Sequence, residues 1–253
     1  MPLDLCDYKT RTSEAIKFFW RSRDKASQEQ AKRGKTDAGS RGAVTAGKNM
    51  DDFLPLIKDI VKKNGLQNAT VHITKGVTVL PGYFRPTKTW DVVVMDGSTL
   101  VAVLELKSHV GPSFGNNFNN RCEEALGSGI DIITAYREGA LGKDAPKPFL
   151  GWLIHVEDCP ASNKSVGVKE PHFPVMKAFK KTPKSKPPSY VGRYEIFCRN
   201  MMREQLYDSA ALILSERSAM KTGIYRAVST RTGVKAFFSG LAGHVATYVA
   251  AKP

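Results

Sequence analysis

The sequence predicts an α/β fold: a mixed central sheet flanked by helices, with added helices and basic loops. Three observations predict it. Residues 89–107, TWDVVVMDGSTLVAVLELK, read as two strands joined by a tight turn at Asp96-Gly97, with Val, Leu, Ala or Met at nearly every position between the charged ends. The run FLGWLIHVE at 149–157 reads as a buried strand. Between them Phe118, Cys122, Ala125, Gly129, Ile132, Ile133 and Tyr136 follow the 3.6-residue period of a helix. Strand, strand, helix, strand in that order is an α/β core.

The other elements extend this core. Residues 8–33 read as a helix whose apolar stripe includes Ile16, Phe19 and Trp20. Residues 32–49, rich in Gly, Lys, Arg, Ser and Thr, read as a basic flexible segment, either a solvated linker or a piece that orders on phosphates. A second helix spans 50–64, with Met50, Phe53, Leu54, Ile57, Ile60 and Val61 at helical spacing; Pro55 makes it start near Leu54 or bend there. Residues 69–75 alternate as a strand, and Pro81-Gly82 opens a turn into a polar connection. Gly, Pro and Asn mark 108–120 as a loop, with a helix from Phe118. Lysines and prolines make 158–192 a long basic loop, suited to phosphate contact or to a solvated surface. Helices are expected over 190–219 and 234–251. No internal repeat is present; 253 residues suffice for one large domain or a domain with an appended lobe, and residues 1–253 are read as a single domain.

Composition narrows the function. Lys and Arg number 38 against 24 Asp and Glu, a formal net charge of +14. Such a surplus favours a polyanionic partner, because neutralising phosphates releases their counterions. No stretch is long and apolar enough to span a membrane, and the N-terminus lacks the pattern of a secretory signal. The four cysteines, Cys6, Cys122, Cys159 and Cys198, are widely spaced, which suggests neither a zinc site nor a disulfide framework and fits a reducing cytoplasm. Nucleic acid is the expected partner.

Asp91, Glu105 and Lys107 carry the chemistry. Charges at the end of a buried hairpin are expensive unless paired or bound to a metal. Glu105 and Lys107 are two apart on one strand and point to one face, while Asp91 enters from the neighbouring strand. Leu106 points the other way, leaving its carbonyl available to a metal. Two carboxylates hold Mg²⁺ well, the ion acidifies a bound water, and a nearby lysine holds that water. The spacing Asp-x13-Glu-x-Lys is the pattern of PD-(D/E)xK nucleases, although Thr89-Trp90 precedes Asp91 where the nominal signature has proline. A surface salt-bridge cluster is the alternative on the motif alone. At the level of function, the alternatives are a repair nuclease of this fold, such as a junction resolvase, and a DNA-binding protein without activity.

Longer segments then resemble the XhoI-type restriction endonucleases: GKNMDDFLPLI (47–57), LPGYFRPTKTWDVVV (80–94), VAVLELKSHVGPSFGNNFNNRCEEALGS (101–128) and PFLGWLIHVEDCP (148–160), with HFPV (172–175) and YEIFCRNMMREQLY (194–207). The resemblance implies a type II enzyme that uses Mg²⁺ to cut both strands of double-stranded DNA at the palindrome CTCGAG. It also implies a homodimer and a companion DNA methyltransferase. Against that background Asn116, Asn117, Asn119, Asn120 and Arg121 are candidates for reading bases, since Asn suits adenine and Arg suits guanine. Capping the helix and shaping the loop is the other reading of the asparagines. Tyr83, Arg85 and Lys88 are candidates for phosphate contact. Asp51 could cap its helix or supply a further acid to the metal. Glu124 could hold a second metal, orient Arg121 or face solvent. His109 is read as structural.

Overall fold

Two apolar faces on one sheet explain the architecture. In the computed structural model, which describes residues 2–32, 50–181 and 186–252, five strands run in the order β1-β4-β5-β6-β7. These are β1 (Thr70–His72), β4 (Val92–Asp96), β5 (Thr99–His109), β6 (Phe149–Glu157) and β7 (Ser209–Ser215). The first three pair antiparallel and the last three parallel, so the sheet is mixed. The turn between β4 and β5 places Gly97 at φ 58°, a conformation glycine adopts without penalty.

Alternation along β5 sends Ala102, Leu104 and Leu106 to one face and Val103 to the other. The first face is covered by three helices: α1 (Tyr8–Lys32), α2 (Leu54–Lys63) and α7 (Val234–Ala250). Pro55 falls in the first turn of α2, where its missing N–H costs nothing, and a 3-10 turn (Asp51–Phe53) precedes it. The second face is covered by α3 (Phe114–Arg137) and α5 (Tyr190–Arg203). These are the crossover helices from β5 to β6 and from β6 to β7. Among the described residues no helix is long and apolar enough to cross a membrane.

Several expectations change. The strand expected over 69–75 pairs only at Thr70–His72. The polar connection after Pro81 lies in a small hairpin of β2 (Val79–Pro81) and β3 (Thr87–Thr89). The loop expected over 108–120 is only 110–113: β5 runs on to His109, and α3 begins four residues before Phe118. Phe114 packs on His109 and Tyr190, and a side chain at Gly115 would collide with the Tyr190 hydroxyl, so tight packing overrides the poor helix propensity of Gly and Asn. The helix expected over 190–219 ends at Arg203, and Gln205 at φ 57° turns the chain into β7. Ala210 and Ile213 are therefore strand residues, and Leu206 lies in the turn. The 158–192 segment is largely irregular, but carries a short helix, α4 (Pro160–Asn163), and a 3-10 turn (Lys177–Phe179). Residues 33–49 of the basic segment, and Pro183 and Lys184 of the later loop, lie outside the described residues. A last short helix, α6 (Ala219–Thr222), follows β7.

Candidate active site

The sheet brings Asp91, Glu105 and Lys107 together where β4 stops short of β5. Pairing of these strands ends at Val92 with Leu104, so β5 projects past its neighbour. Asp91 sits at that corner, and its Oδ2 accepts the Leu106 N–H at 2.8 Å. In extended backbone a residue's N–H and C=O face the same edge, so the Leu106 carbonyl also faces the Asp91 side. Lys107 Nζ lies 2.7 Å from Glu105 Oε1 and 3.9 Å from Asp91 Oδ2. Asp91 is half exposed, whereas the Glu105 side chain is only 3% exposed.

Electrostatics makes these ionised groups tolerable. Burial by itself pushes the Glu105 carboxyl up, but the ammonium groups of Lys107 and Lys88 outweigh it and hold the acid below its ordinary value. Burial likewise pushes Lys107 down, and Glu105 with Asp91 outweighs that, raising it above the usual lysine value. Lys107 is therefore an ammonium, able to donate to a water or a phosphate oxygen. Glu105 Oε2 is buried and has no hydrogen-bond partner. A carboxylate oxygen left so is costly, and a divalent ion would satisfy it. Among the described residues no three His, Cys, Asp or Glu side chains cluster as a metal cage. Two carboxylates and a carbonyl, completed by waters and phosphate, are the donor set that Mg²⁺ favours.

A cleft of ≈ 330 Å³ opens on this corner. Asp91, Lys107, Asp51, Lys75 and Arg121 all line it. Arg121 reaches it from α3 and pairs with Glu124 at 2.5 Å, while Glu124 is half exposed. Of the two further acids considered, Asp51 thus borders the cleft and Glu124 braces Arg121. Asn116, Asn119 and Asn120 are exposed, and Asn117 is partly buried. All four lie within the first two turns of α3 rather than at its N-cap, which is Ser113. His109 is tied to the Tyr194 hydroxyl at 2.7 Å, and burial pushes it down to about 4.

The small hairpin divides the three residues proposed for phosphate contact. Arg85 turns back onto α3, pairing with Asp131 at 2.8 Å, whose other oxygen accepts the N–H groups of Tyr83 and Phe84. Tyr83 remains largely exposed. Lys88 points inward to Glu105 Oε1 at 3.0 Å. Sequence reasoning missed this contact and the moorings on Asp131, because both join segments far apart in the chain. Lys75 was missed too; its only signal was a cation at the end of an alternating run.

A family model described as "Restriction endonuclease XhoI" matches residues 29–227, most of the chain. The chain belongs to the XhoI restriction endonuclease family. It is thereby an enzyme of the DNA-hydrolysing class. Curated relatives agree. "Type II restriction enzyme XhoI" of Xanthomonas vasicola is 50% identical over 203 residues, 80% of this chain and 78% of the relative. "Type II restriction enzyme AbrI" of Azospirillum brasilense is 52% identical over 173 residues, 68% and 77% of the two chains. "Type II restriction enzyme BstVI" of Geobacillus stearothermophilus is 46% identical over 219 residues, 85% and 94%. No solved structure matches.

Proposed function

We propose that the protein is a type II endonuclease that cuts both strands of double-stranded DNA at CTCGAG, using Mg²⁺ and a water positioned by Lys107. The carrying observation is the convergence of Asp91, Glu105 and Lys107 at one corner of the sheet, beside a cleft that Asp91, Lys107 and Arg121 line. Asp91, Glu105 and the Leu106 carbonyl would hold the metal, with Asp51 the nearer further acid. When bound, Mg²⁺ acidifies a water and neutralises charge on the phosphate. Lys107 donates to that water and orients it for attack in line with the leaving oxygen. Arg121 and the exposed asparagines of α3 face the bases, and Tyr83 contacts the backbone beside the cut. The whole chain acts as one domain, paired as a homodimer, since a palindrome is naturally read by a two-fold protein. A companion methyltransferase would protect the host site, and the cytoplasm is the place of action.

Asp91→Ala and Glu105→Ala should each abolish cleavage of plasmid DNA in Mg²⁺ while leaving duplex binding in Ca²⁺ near the wild-type level. Gel electrophoresis and fluorescence anisotropy would read the two effects. Either variant cutting at the normal rate removes the catalytic assignment. A junction resolvase would differ by giving no discrete fragments.

A further inference from the structure

Lys88 is bound into the site in a way the Asp-x13-Glu-x-Lys pattern does not contain. Its Nζ donates to Glu105 Oε1 at 3.0 Å and to the Thr89 carbonyl at 3.2 Å, and lies 4.3 Å from the centroid of the Trp90 ring. Its side chain is only 13% exposed, so it is held in the wall rather than offered to solvent. Glu105 Oε1 therefore takes two ammonium groups, Lys88 and Lys107, while Oε2 takes none. Two lysines against Asp91 and Glu105 make the cluster formally neutral before any ion enters. A divalent ion arriving on Glu105, whether at the unpartnered Oε2 or by displacing Lys88 from Oε1, meets Lys88 as a close like charge in a poorly screened setting.

We propose that Lys88 is a positioning residue that stands in for the divalent ion on Glu105 and keeps the metal site weak until a DNA phosphate adds negative charge. The inference rests on the reading of Glu105 as a metal ligand. The hairpin fits such a link. Its tip is moored to α3 through Asp131 and presents Tyr83 and Phe84 outward, so a duplex on α3 also lies beside the strand that carries Lys88. Metal loading would then follow DNA binding, which limits cutting away from bound substrate.

Calorimetric titration of Ca²⁺ into the full chain, alone and with a duplex containing CTCGAG, tests this. For the wild type, DNA should tighten Ca²⁺ binding strongly. Lys88→Met and Lys88→Gln should bind Ca²⁺ about tenfold or more tighter without DNA, and gain less when DNA is added. Lys88→Arg keeps the charge and should behave as wild type. A purely structural lysine would instead lower the thermal midpoint and loosen Ca²⁺ binding. Unchanged or weaker Ca²⁺ binding in both Lys88→Met and Lys88→Gln overturns the proposal. Lys88→Gln, which retains a donor to Glu105, carries the test if Lys88→Met does not fold. Glu105→Gln separates the two levels: wild-type Ca²⁺ binding in that variant removes Glu105 as a ligand, and this inference with it.

Discussion

A buried histidine shows how single residues tie this fold to pH. His155 on β6 is wholly buried, packed on Phe19 and Trp20 of α1, and shares the Ser215 hydroxyl with the Trp20 indole. Burial first, and Arg23 second, push it down to about 3. The unfolded chain protonates the same ring near ~6.5. Between these values the unfolded state binds a proton that the folded state refuses, so stability falls as pH drops from about 6.5 towards about 3. Urea denaturation of His155→Gln at about pH 7 and about pH 5 should show a shallower loss than the wild type; an equal loss would assign the slope to other groups. The corner of Asp91, Glu105 and Lys107 uses the same logic with opposite outcome. Glu105 is as buried as many core side chains, yet stays ionised because two lysines converge on one of its oxygens.

Among the elements, β7 and α3 matter most to the account. β7 runs parallel to β6 and is covered on its outer side by the 224–233 segment, through Leu212 N–H to the Thr232 carbonyl and a bridge between Leu214 and Arg226. Leu212 is fully buried in the core under α3 and α5, so Leu212→Ala should cost about 2–5 kcal/mol, read as a lower urea midpoint; a change below half a kilocalorie would mean the strand is not packed as described. α3 carries the candidate base readers, and Arg121→Ala should cost about 1–3 kcal/mol of discrimination between CTCGAG and a scrambled duplex, with non-specific binding much less affected. The sequence made some elements plain and hid others for physical reasons. The β4–β5 hairpin and β6 were legible because buried strands are continuous apolar runs. β7 was not, since Ser-Ala-Ala-Leu-Ile-Leu-Ser is equally good as a helix and only its pairing with β6 decides. The start of α3 was hidden by Gly115 and the asparagines, whose low helix propensity is overcome by packing on Tyr190. Asp91, Glu105 and Lys107 could be picked out by spacing, but Lys88 on Glu105 and Arg85 on Asp131 depend on a hairpin too short to announce itself.

At the level of the whole molecule, a net charge of +14 suits an enzyme of the DNA-hydrolysing class, and a cleft lined by Asp91, Lys107 and Arg121 opens at the end of its mixed sheet. Both faces of the sheet carry a core, one under α1, α2 and α7 and the other under α3 and α5, and the cleft opens at the sheet's end between elements of the two. The strand that carries Glu105 and Lys107 and the helix that carries Arg121 are joined by only four residues, 110–113. On the proposed roles, recognition and cutting would lie on one continuous piece of chain. The most direct test is to incubate the purified protein with a long DNA of known sequence in Mg²⁺ and to sequence every new end. The account predicts ends on both strands at CTCGAG alone, and none with Glu105→Ala. Ends scattered over the sequence, no ends at all, or the same ends from Glu105→Ala would contradict it.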